Sequence, residues 1–287
     1  IRGDYMKTGM ILEGGAMRGL YTAGVLDVLL ENNIEVDGYI GVSAGAVFGC
    51  NYKSKQIERV LHYNLKYGQD PRYFGLKSLL KTGDLYGVDF CYHKIPEELD
   101  PFDNETFISD PVDFYVGITE VETGKPAYHL CKTGTGEDLL WMQASASMPL
   151  VSNPVSIDQH LYLDGGISDP IPLKYFQSIG YEKNIVVLTQ TQSYRKKPMK
   201  FSSIMKKGLK KYPAIYNAMK ERHQVYNKTL EYIEDSKKKG ETFVIRPSHS
   251  LSIKRLENDP IKLNEAYYLG RNDAYKKLNE LKAFLKR

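Results

Sequence analysis

The chain has 287 residues, a hydrophobic fraction of 42%, a charged fraction of 26% and a formal net charge of +4. This length is sufficient for one large α/β domain with an extensive core, and the composition is that of a globular protein rather than a disordered one. So small a net charge argues against a nucleic-acid-binding protein.

The cysteines and the apolar runs indicate the cellular compartment. Cys50, Cys91 and Cys131 are widely spaced and lack a C-x-x-C pair, so neither a disulfide framework nor a zinc site is predicted. The sequence has no run of about 18 apolar residues and no secretory leader pattern. We therefore predict a cytoplasmic protein, and we interpret residues 1–5, which precede Met6, as an expression remnant.

The amino-terminal part predicts two strand–turn–helix units. Residues 8–12 are apolar, end in a glycine-rich turn and precede apolar residues at helical spacing. Residues 39–42 form a second predicted strand, which runs directly into small residues that can begin a helix.

The remainder of the chain alternates between predicted strands and helices. Residues 66–110 are rich in Tyr, Gly, Asp and Pro and are interpreted as an irregular wall or lid of the substrate pocket. Beyond them we predict strands at 114–119, 127–130, 160–163, 185–189 and 242–245, and helices at 137–145 and 213–239. The alternation predicts a mainly parallel sheet between two layers of helices. In the tail, Asp259-Pro260 and Asn272-Asp273 each begin a predicted helix, which makes a helical pair.

Gly41, Ser43 and Gly45 form a G-x-S-x-G sequence between the second predicted strand and the helix behind it. This pattern is typical of a nucleophile elbow, a sharp turn that presents a serine hydroxyl at the carboxyl end of a sheet. Glycines are needed there because side chains would collide with neighbouring backbone. Ser43 is therefore the predicted nucleophile, with a chance match of so short a pattern as the alternative.

A glycine-rich turn at 13–19 reads Glu-Gly-Gly-Ala-Met-Arg-Gly and follows the first predicted strand. Its backbone N–H groups, with the positive end of a helix behind them, predict an anion receptor. A P-loop would require Gly-Lys-Ser/Thr at its end and a dinucleotide site would require G-x-G-x-x-G, and both are absent. The remaining interpretation is an oxyanion hole at Gly14, Gly15 and Ala16, in which one donor is typically worth ~3 kcal/mol.

Asp164, Gly165 and Gly166 follow the predicted strand at 160–163. Two glycines after an aspartate allow another segment to approach its carboxylate closely. An ordinary Asp-Gly turn is the simpler interpretation of this motif by itself.

Together and in this order, the three elements resemble the patatin-like phospholipase family, whose pattern is a glycine-rich oxyanion loop, G-x-S-x-G and Asp-Gly-Gly or Asp-Gly-Ala. The resemblance covers residues 10–172 and includes Ala-Ser-Ala-Ser-Met-Pro at 144–149. It implies an α/β protein with the patatin-like three-layer α/β/α sandwich, a mainly parallel central sheet and C-terminal helices. The implied catalytic domain spans 8–247, and 248–287 is similar to the helical extension of a bacterial subgroup.

The resemblance also implies residue roles. Ser43 becomes the nucleophile, Asp164 the general base, and Gly14 and Gly15 with their neighbours the oxyanion hole. The supporting motif residues are Arg18, Gly19, Gly41, Gly45, Gly165 and Gly166. The chain departs from the family at Ala16, where a third glycine is common, so we expect one amide to shift. No metal or other cofactor is expected.

The predicted activity is hydrolysis of a lipid or other fatty-acyl ester by a Ser-Asp dyad through an acyl-enzyme. Two alternatives stay open. One is a Ser-Asp-His triad that uses His223 or His249, in the chain order of α/β-hydrolases. The other is a patatin fold that binds lipid or a protein partner without turnover.

Residues 195–211 carry many Lys and Arg side chains interleaved with apolar ones. The pattern is typical of an interfacial amphipathic helix, so we expect peripheral contact with anionic bilayers. A solvated face over a packed apolar stripe is an equal alternative. The sequence predicts no nucleic-acid partner, and it does not determine the lipid, the acyl position or the oligomeric state.

Overall fold

The computed structural model describes residues 6–286, apart from the side chain of Ile204. The predicted expression remnant at 1–5 lies outside the described residues. The strands are β1 (Lys7–Leu12), β2 (Gly38–Val42), β3 (Asp113–Glu120), β4 (Pro126–Cys131), β5 (Val155–Ile157), β6 (His160–Asp164), β7 (Tyr181–Val187) and β8 (Thr242–Ile245).

The helices in this part of the chain are α1 (Gly19–Glu31), α2 (Ala44–Val47), α3 (Cys50–Lys53), α4 (Arg59–Tyr67), α5 (Leu76–Thr82), α6 (Asn104–Ser109), α7 (Glu137–Ala146), α8 (Leu173–Ser178), α9 (Ser203–Leu209), α10 (Pro213–Lys238) and α11 (Pro260–Lys286). Short 3-10 turns at Ala16–Arg18 and Gly165–Ile167 and a π-helix at Phe90–Leu99 complete the regular structure of the described residues.

The strands form one eight-stranded sheet with the order β5-β6-β3-β2-β1-β7-β8, and β4 pairs with β3. The central strands β3, β2, β1, β7 and β8 are parallel, whereas β4, β5 and β6 run antiparallel to their neighbours. The predicted mainly parallel sheet is therefore confirmed.

Helices cover both faces of the sheet, as predicted. Along β1, the side chains of Met10 and Leu12 enter a core shared with α1, α7 and α11, whereas Ile11 enters a core shared with α8 and α10. This alternation follows from the pleat of a strand, in which successive side chains point to opposite faces. The result is the predicted three-layer α/β/α sandwich.

The segment at 66–110 is more regular than its composition predicts. It contains α5, the ten-residue π-helix and α6, so the expectation of an irregular segment was wrong. Pro96 lies inside the π-helix and cannot donate a backbone hydrogen bond. The aromatic residues of this segment pack together, with Tyr73 in edge contact with Phe74 and Tyr86, and this packing stabilises helices that local propensity does not predict.

The tail forms one helix, α11, and the predicted helical pair is wrong. Asp273 does not cap a new helix, because its side chain is buried and accepts hydrogen bonds from the Tyr21 hydroxyl and the Ser248 amide. The Asp273 carboxylate, which indicated a helix start in the sequence, is thus used in a tertiary contact and not as a helix cap. In the part of the chain that the structure describes, no helix is both long and apolar enough to cross a bilayer.

Helix α11 packs against α1 at close backbone distance. A Cβ atom on Gly24 would lie 2.1 Å from the Tyr267 carbonyl oxygen, and one on Gly270 would lie 2.0 Å from the Tyr21 carbonyl oxygen. Both neighbours are backbone atoms that cannot rotate away. The tail is therefore joined to the first helix of the sandwich through a contact that only glycine permits.

We predict that Gly24→Ala and Gly270→Ala each destabilise the protein by about 1–3 kcal/mol, because the added methyl group forces the two helices apart. The melting temperature should fall by several degrees, even though alanine has the higher helix propensity. Thermal unfolding followed by circular dichroism measures the effect.

Gly208→Ala in α9 is the matched control. Its Cβ would meet only the flexible end of the Leu150 side chain, at 2.7 Å, and the position is exposed. Equal melting temperatures for the variants at 24, 208 and 270 would contradict the proposed close contact.

Candidate active site

Strand β3 brings Ser43 and Asp164 together. Thr119 pairs with Pro126 of β4 and with Leu163 of β6, so β4 and β6 lie on opposite sides of β3. Strand β2 pairs with the same edge of β3 as β6 does. It ends with Val42, which lies opposite Gly117 of β3. The next residue of β3, Ile118, pairs with Asp164 of β6. Ser43 follows Val42 directly and therefore emerges beside Asp164.

The backbone at Ser43 is strained, with φ of 56° and ψ of −125°. Non-glycine residues rarely adopt positive φ, and such strain is typical of a nucleophile elbow. The flanking glycines permit the turn, since a Cβ on Gly41 would lie 2.2 Å from the Gly45 carbonyl oxygen and one on Gly45 would lie 2.3 Å from that of Leu12.

The end of helix α7 holds both sides of the site. The Ser43 amide donates to the Ser145 hydroxyl at 2.8 Å, and that hydroxyl donates to the Gly117 carbonyl at 2.6 Å. Two residues further on, the Ser147 carbonyl accepts a hydrogen bond of 2.9 Å from the Asp164 amide. Positions 145 and 147 therefore fix the nucleophile turn and the aspartate relative to each other.

Asp164 is only 2% exposed. Burial raises the pKa of its carboxyl group above the usual value, and the Arg222 guanidinium and the nearby Ser43 side chain partly offset this rise. The Gly166 amide also donates to Asp164 Oδ1 at 2.7 Å. A buried carboxylate with few donors is more basic than one in water.

The glycine-rich turn lies against Ser43. A Cβ on Gly14 would be 2.7 Å from the Ser43 Cβ. Within the described residues, the N–H groups of Gly14, Gly15 and Ala16 donate to no protein acceptor, which leaves them free for an anion. Ala16 has φ of 49°, in the left-handed region that favours glycine, so the departure from the family pattern falls at a position with a backbone cost.

The Glu13 side chain fixes the position of this turn. Its buried carboxylate accepts hydrogen bonds of 2.7 Å from the Thr189 amide and the Tyr226 hydroxyl. Since Thr189 follows β7 and Tyr226 lies on α10, the turn is tied to the opposite helical layer.

The supporting motif residues act through close packing. Gly19 lies beside Ala44 and Phe48, and a Cβ on Gly165 would be 2.2 Å from the Gly117 carbonyl oxygen. The Gly166 carbonyl accepts a hydrogen bond from the Arg222 side chain, and the Arg18 side chain lies next to Gly15.

Ser43 opens onto a cavity of about 700 Å³, a volume typical of small-molecule sites. Its walls are mostly apolar and include Met17, Phe48, Ile95, Met142, Met148 and Met219. Residues 66–110 contribute Tyr73, Leu85, Tyr86 and Tyr92, so the prediction that this segment forms a pocket wall is confirmed.

The structure does not bring the two candidate histidines to Ser43 and Asp164. His223 Nδ1 contacts the Lys220 carbonyl, and His249 Nδ1 contacts the Ser248 hydroxyl. Among the described residues, His93 is the histidine that lines the cavity, where it contacts Glu97.

Over residues 6–286, potential metal ligands occur in two groups, and neither includes a residue of the predicted site. The ligand atoms of His129, Cys131 and Asp138 lie within 4.8 Å of one another, as do those of Glu120, Glu122 and His160. Asp138 is already bonded to backbone amides of the turn before α7 and to His129, so its carboxylate serves that turn.

Sequence reasoning missed the contacts that Ser145 and Arg222 make beside Ser43 and Asp164. Ser145 lies in the stretch at 144–149 that resembles the family, but its contact with the Ser43 amide depends on how α7 meets the sheet. Arg222 lies far along the chain and carries no motif that links it to the site.

Comparison with known proteins identifies the family. A family model described as patatin-like phospholipase matches residues 10–176, which is more than half of the chain. The chain belongs to the patatin-like phospholipase family. This membership supports lipid hydrolysis in general. A second model, for a domain of unknown function, matches residues 212–286, which span α10, β8 and α11. The predicted division of this patatin-like protein at residue 247 stays a prediction.

Similar proteins cover different shares of this patatin-like chain. An uncharacterized protein of Escherichia coli K12, YjjU, is 26% identical over 92% of the chain and 75% of its own length. Lysophospholipase nte1 of Aspergillus fumigatus is 25% identical over 60% of the chain, which spans 11% of that protein. An uncharacterized NTE family protein of Mycobacterium bovis is 23% identical over 63% of the chain and 48% of its own length. The structure of VipD from Legionella pneumophila superposes with a TM-score of 0.47 at 12% identity, over 96% of this chain and 67% of that one.

For this member of the patatin-like family, we predict that Ser145→Ala leaves the Ser43 amide and the Gly117 carbonyl without the hydrogen bonds of the Ser145 hydroxyl. The unpaired groups should cost about 1–3 kcal/mol of stability, and the loosened turn should slow acylation of Ser43. Thermal unfolding and the rate of labelling by a fluorophosphonate measure both effects.

Ser147→Ala is the matched control, because the Ser147 hydroxyl donates only to the Gln143 carbonyl within α7. If Ser145→Ala had the melting temperature and the labelling rate of the wild type, the hydrogen bonds of the Ser145 hydroxyl would not fix the turn at Ser43.

Proposed function

We propose that the protein is a serine acyl hydrolase that cleaves fatty-acyl esters of lipids, with Ser43 as nucleophile and Asp164 as general base. The observation that carries the proposal is the strained backbone at Ser43, which holds its side chain beside a buried carboxyl group. The similarity to a protein named a lysophospholipase supports a lipid substrate.

The proposed reaction has two halves. Ser43 Oγ attacks the ester carbonyl carbon while Asp164 accepts the hydroxyl proton, and the N–H groups of the glycine-rich turn stabilise the oxyanion. The tetrahedral intermediate expels the alkoxide, which takes the proton from Asp164, and an acyl-enzyme remains. Water then attacks the acyl-enzyme with Asp164 again as base, which releases the fatty acid and restores Ser43.

Burial of Asp164 serves this reaction because a free aspartate is too weak a base for a serine hydroxyl. The raised pKa of the buried carboxyl group brings its basicity closer to what proton transfer requires. The proton is also held only until the alkoxide leaves, so a moderate rise in pKa is sufficient.

The two alternatives, a binding module and a Ser-Asp-His triad, would each require a different site geometry. A binding module without turnover would need neither a strained serine nor free amide donors beside it. A Ser-Asp-His triad would need a histidine in contact with Asp164, whereas the groups that affect the pKa of Asp164 are Arg222, Ser43, Gly166 and Arg255. Both observations favour the dyad.

We predict that Ser43→Ala and Asp164→Asn each lower kcat/KM for p-nitrophenyl esters by at least about a thousandfold and abolish fluorophosphonate labelling. The activity of the wild type should fall at acidic pH, because a protonated Asp164 cannot accept the serine proton. Since burial raises the pKa of Asp164, this fall should lie above pH ~4, the usual pKa of an aspartate.

The matched controls are His93→Ala, His223→Ala and His249→Ala, all of which should keep wild-type labelling. Loss of labelling in a folded histidine variant would replace the dyad by a triad. Folded wild-type protein that neither labels nor turns over any ester would favour the binding module.

We further propose that the protein docks on anionic bilayers with the rim of the cavity. Three apolar residues of 195–211 are not free for this contact, because Leu209 is buried and Met199 and Met205 line the cavity. The predicted helix is also shorter than expected: α9 begins at Ser203, and Pro198 disfavours helix before it. The structure is thus closer to the alternative interpretation, in which 195–211 has a solvated basic face over packed apolar residues.

Exposed side chains near the cavity still suit a bilayer. Leu76 and Leu80 of α5, the helix just before the lining residues Asp84 and Leu85, are 74% and 88% exposed, and Leu150 lies next to Gly208 of α9. Lys206, Lys207, Lys210 and Lys211 are exposed on and just after α9. Apolar side chains beside a basic segment at the cavity mouth match an anionic surface that presents acyl esters.

We predict that Leu80→Asp and the double variant Lys206→Glu/Lys207→Glu each weaken binding to phosphatidylglycerol-containing vesicles by about tenfold, measured by sedimentation. The matched controls are Ile108→Asp, on the helix that leads into the amino end of β3, and Lys237→Glu/Lys238→Glu at the end of α10. Equal losses in the test and control variants would remove the proposed docking face.

A further inference from the structure

Helix α10 contacts both halves of the proposed site through two side chains. Arg222 donates a hydrogen bond through Nε to the Gly166 carbonyl, two residues after Asp164. Tyr226 donates through its hydroxyl to Glu13, the first residue of the glycine-rich turn, at 2.7 Å. Residues four apart lie on the same side of an α-helix. One face of α10 therefore reaches both the aspartate turn, 164–166, and the glycine-rich turn.

The Arg222 guanidinium lies close to the Asp164 carboxylate. A Cβ atom on Gly166 would lie 3.0 Å from Asp164 Oδ1 and 3.1 Å from Arg222 Nη2. The two charged groups therefore lie on the same side of the Gly166 backbone. Because Asp164 is buried and Arg222 is partly buried, solvent and salt screen their attraction less than they would at the surface.

Three side chains from different elements affect the protonation of Asp164. Burial raises the pKa of its carboxyl group, and Arg222 of α10 is the strongest influence that opposes this rise. Arg255, in the loop before α11, opposes it less and is exposed to solvent. Tyr92 of the π-helix also lies near the carboxyl group, but burial raises the pKa of Tyr92, so its ring stays neutral.

Arg222 is itself stabilised in its charged form by an acid from each half of the site. Burial lowers the pKa of its guanidinium and so does the nearby Arg255, whereas Asp164, Glu13 and Tyr194 raise it. An arginine keeps its proton under these conditions. Arg222 is therefore a fixed positive charge near both the carboxylate of the aspartate turn and the carboxylate of the glycine-rich turn.

The proposed reaction requires both contacts. Asp164 must be deprotonated before Ser43 attacks, although burial favours the protonated form. A fixed positive charge beside it favours the carboxylate, and the bond to Gly166 holds the turn that carries it. The glycine-rich turn must keep its N–H groups directed at the oxyanion, and the Tyr226 bond fixes the buried Glu13 carboxylate from which this turn begins.

We propose that Arg222 and Tyr226 are positioning residues of the reaction: Arg222 keeps Asp164 charged and in place, and Tyr226 holds the glycine-rich turn beside Ser43. This inference rests on the proposed hydrolase function. Both residues lie within 212–286, the region matched by the domain of unknown function. The inference therefore gives that region a part in catalysis rather than in folding alone.

The first test measures the rate of fluorophosphonate labelling against pH for the full chain. The quantity compared is the acidic midpoint, the pH below which labelling falls to less than half of its maximum. We expect Arg222→Gln to raise this midpoint by about one pH unit, because loss of a nearby positive charge raises the pKa of a carboxyl group. Arg222→Lys keeps the charge and should restore the wild-type midpoint.

Tyr226→Phe should act differently from Arg222→Gln. It removes a hydrogen bond to a buried carboxylate that supports the oxyanion donors and leaves the charge beside Asp164 unchanged. We expect labelling to be about tenfold slower at every pH, with the wild-type acidic midpoint. A variant that was merely destabilised would not separate rate from midpoint in this way.

Two substitutions on the same helix are the matched controls. Lys228→Gln removes an exposed positive charge from α10, and Tyr232→Phe removes a hydroxyl that donates to Gln177 of α8. Both should keep the wild-type rate and midpoint. A midpoint unchanged in Arg222→Gln, or raised equally in Lys228→Gln, would overturn the role of Arg222. Labelling by Tyr226→Phe at the wild-type rate, or an equal loss in Tyr232→Phe, would overturn the role of Tyr226.

The second test does not depend on turnover. The Asp164 carboxyl group is titrated by carbon-13 NMR in the folded Ser43→Ala protein, with its signal assigned by Asp164→Asn, and again with Arg222→Gln added. Arg222→Met is the second neutral variant if Arg222→Gln does not fold. A higher titration midpoint without Arg222 supports the inference, and an unchanged one overturns it. If wild-type protein neither labels nor hydrolyses esters, the proposed function fails, while this titration still decides whether Arg222 controls the charge of Asp164.

Discussion

The arrangement of the site depends on the pairing of β3 with two different strands along the same side. Where β2 ends at Val42, β6 continues the pairing in the opposite direction and ends at Asp164. The carboxyl ends of the two strands therefore meet, although more than a hundred residues separate them in the chain. Backbone pairing of β2 and β6 with β3 thus brings Ser43 and the Asp164 carboxylate together.

Close backbone packing surrounds the strained turn at Ser43 and stabilises it. The turn at Ser43 has a costly conformation, and the surrounding glycines permit it by leaving space for neighbouring carbonyl groups. Ser145 and Ser147, at the end of α7, hold the two sides of the site through the Ser43 and Asp164 amides. A buried polar network of this kind specifies one arrangement because each of its members would be costly to leave unpaired.

The walls of the cavity are mostly apolar, which suits the acyl chain of the proposed substrate. Apolar residues from the segment at 66–110 and from α7 line it, together with Arg255 from the second half of the chain. Because α11 packs against α1 at glycine contacts, the carboxyl-terminal helix belongs to the same structural unit as the nucleophile turn. The tail therefore contributes to both the core and the surroundings of the site.

The sequence by itself determined the local features of this protein. Strand β8 and the helix at Pro213–Lys238 were predictable from periodicity, and the turns at Gly14, Ser43 and Asp164 were predictable from short glycine patterns that reflect steric needs. Tertiary structure decided the rest. Asn272-Asp273 indicated a helix start, yet the Asp273 carboxylate bonds to Tyr21 and Ser248 and the helix continues. The Arg222 side chain likewise donates to the Gly166 carbonyl, a contact that depends on how α10 packs against the sheet, and no local pattern encodes contacts over such separations in the chain.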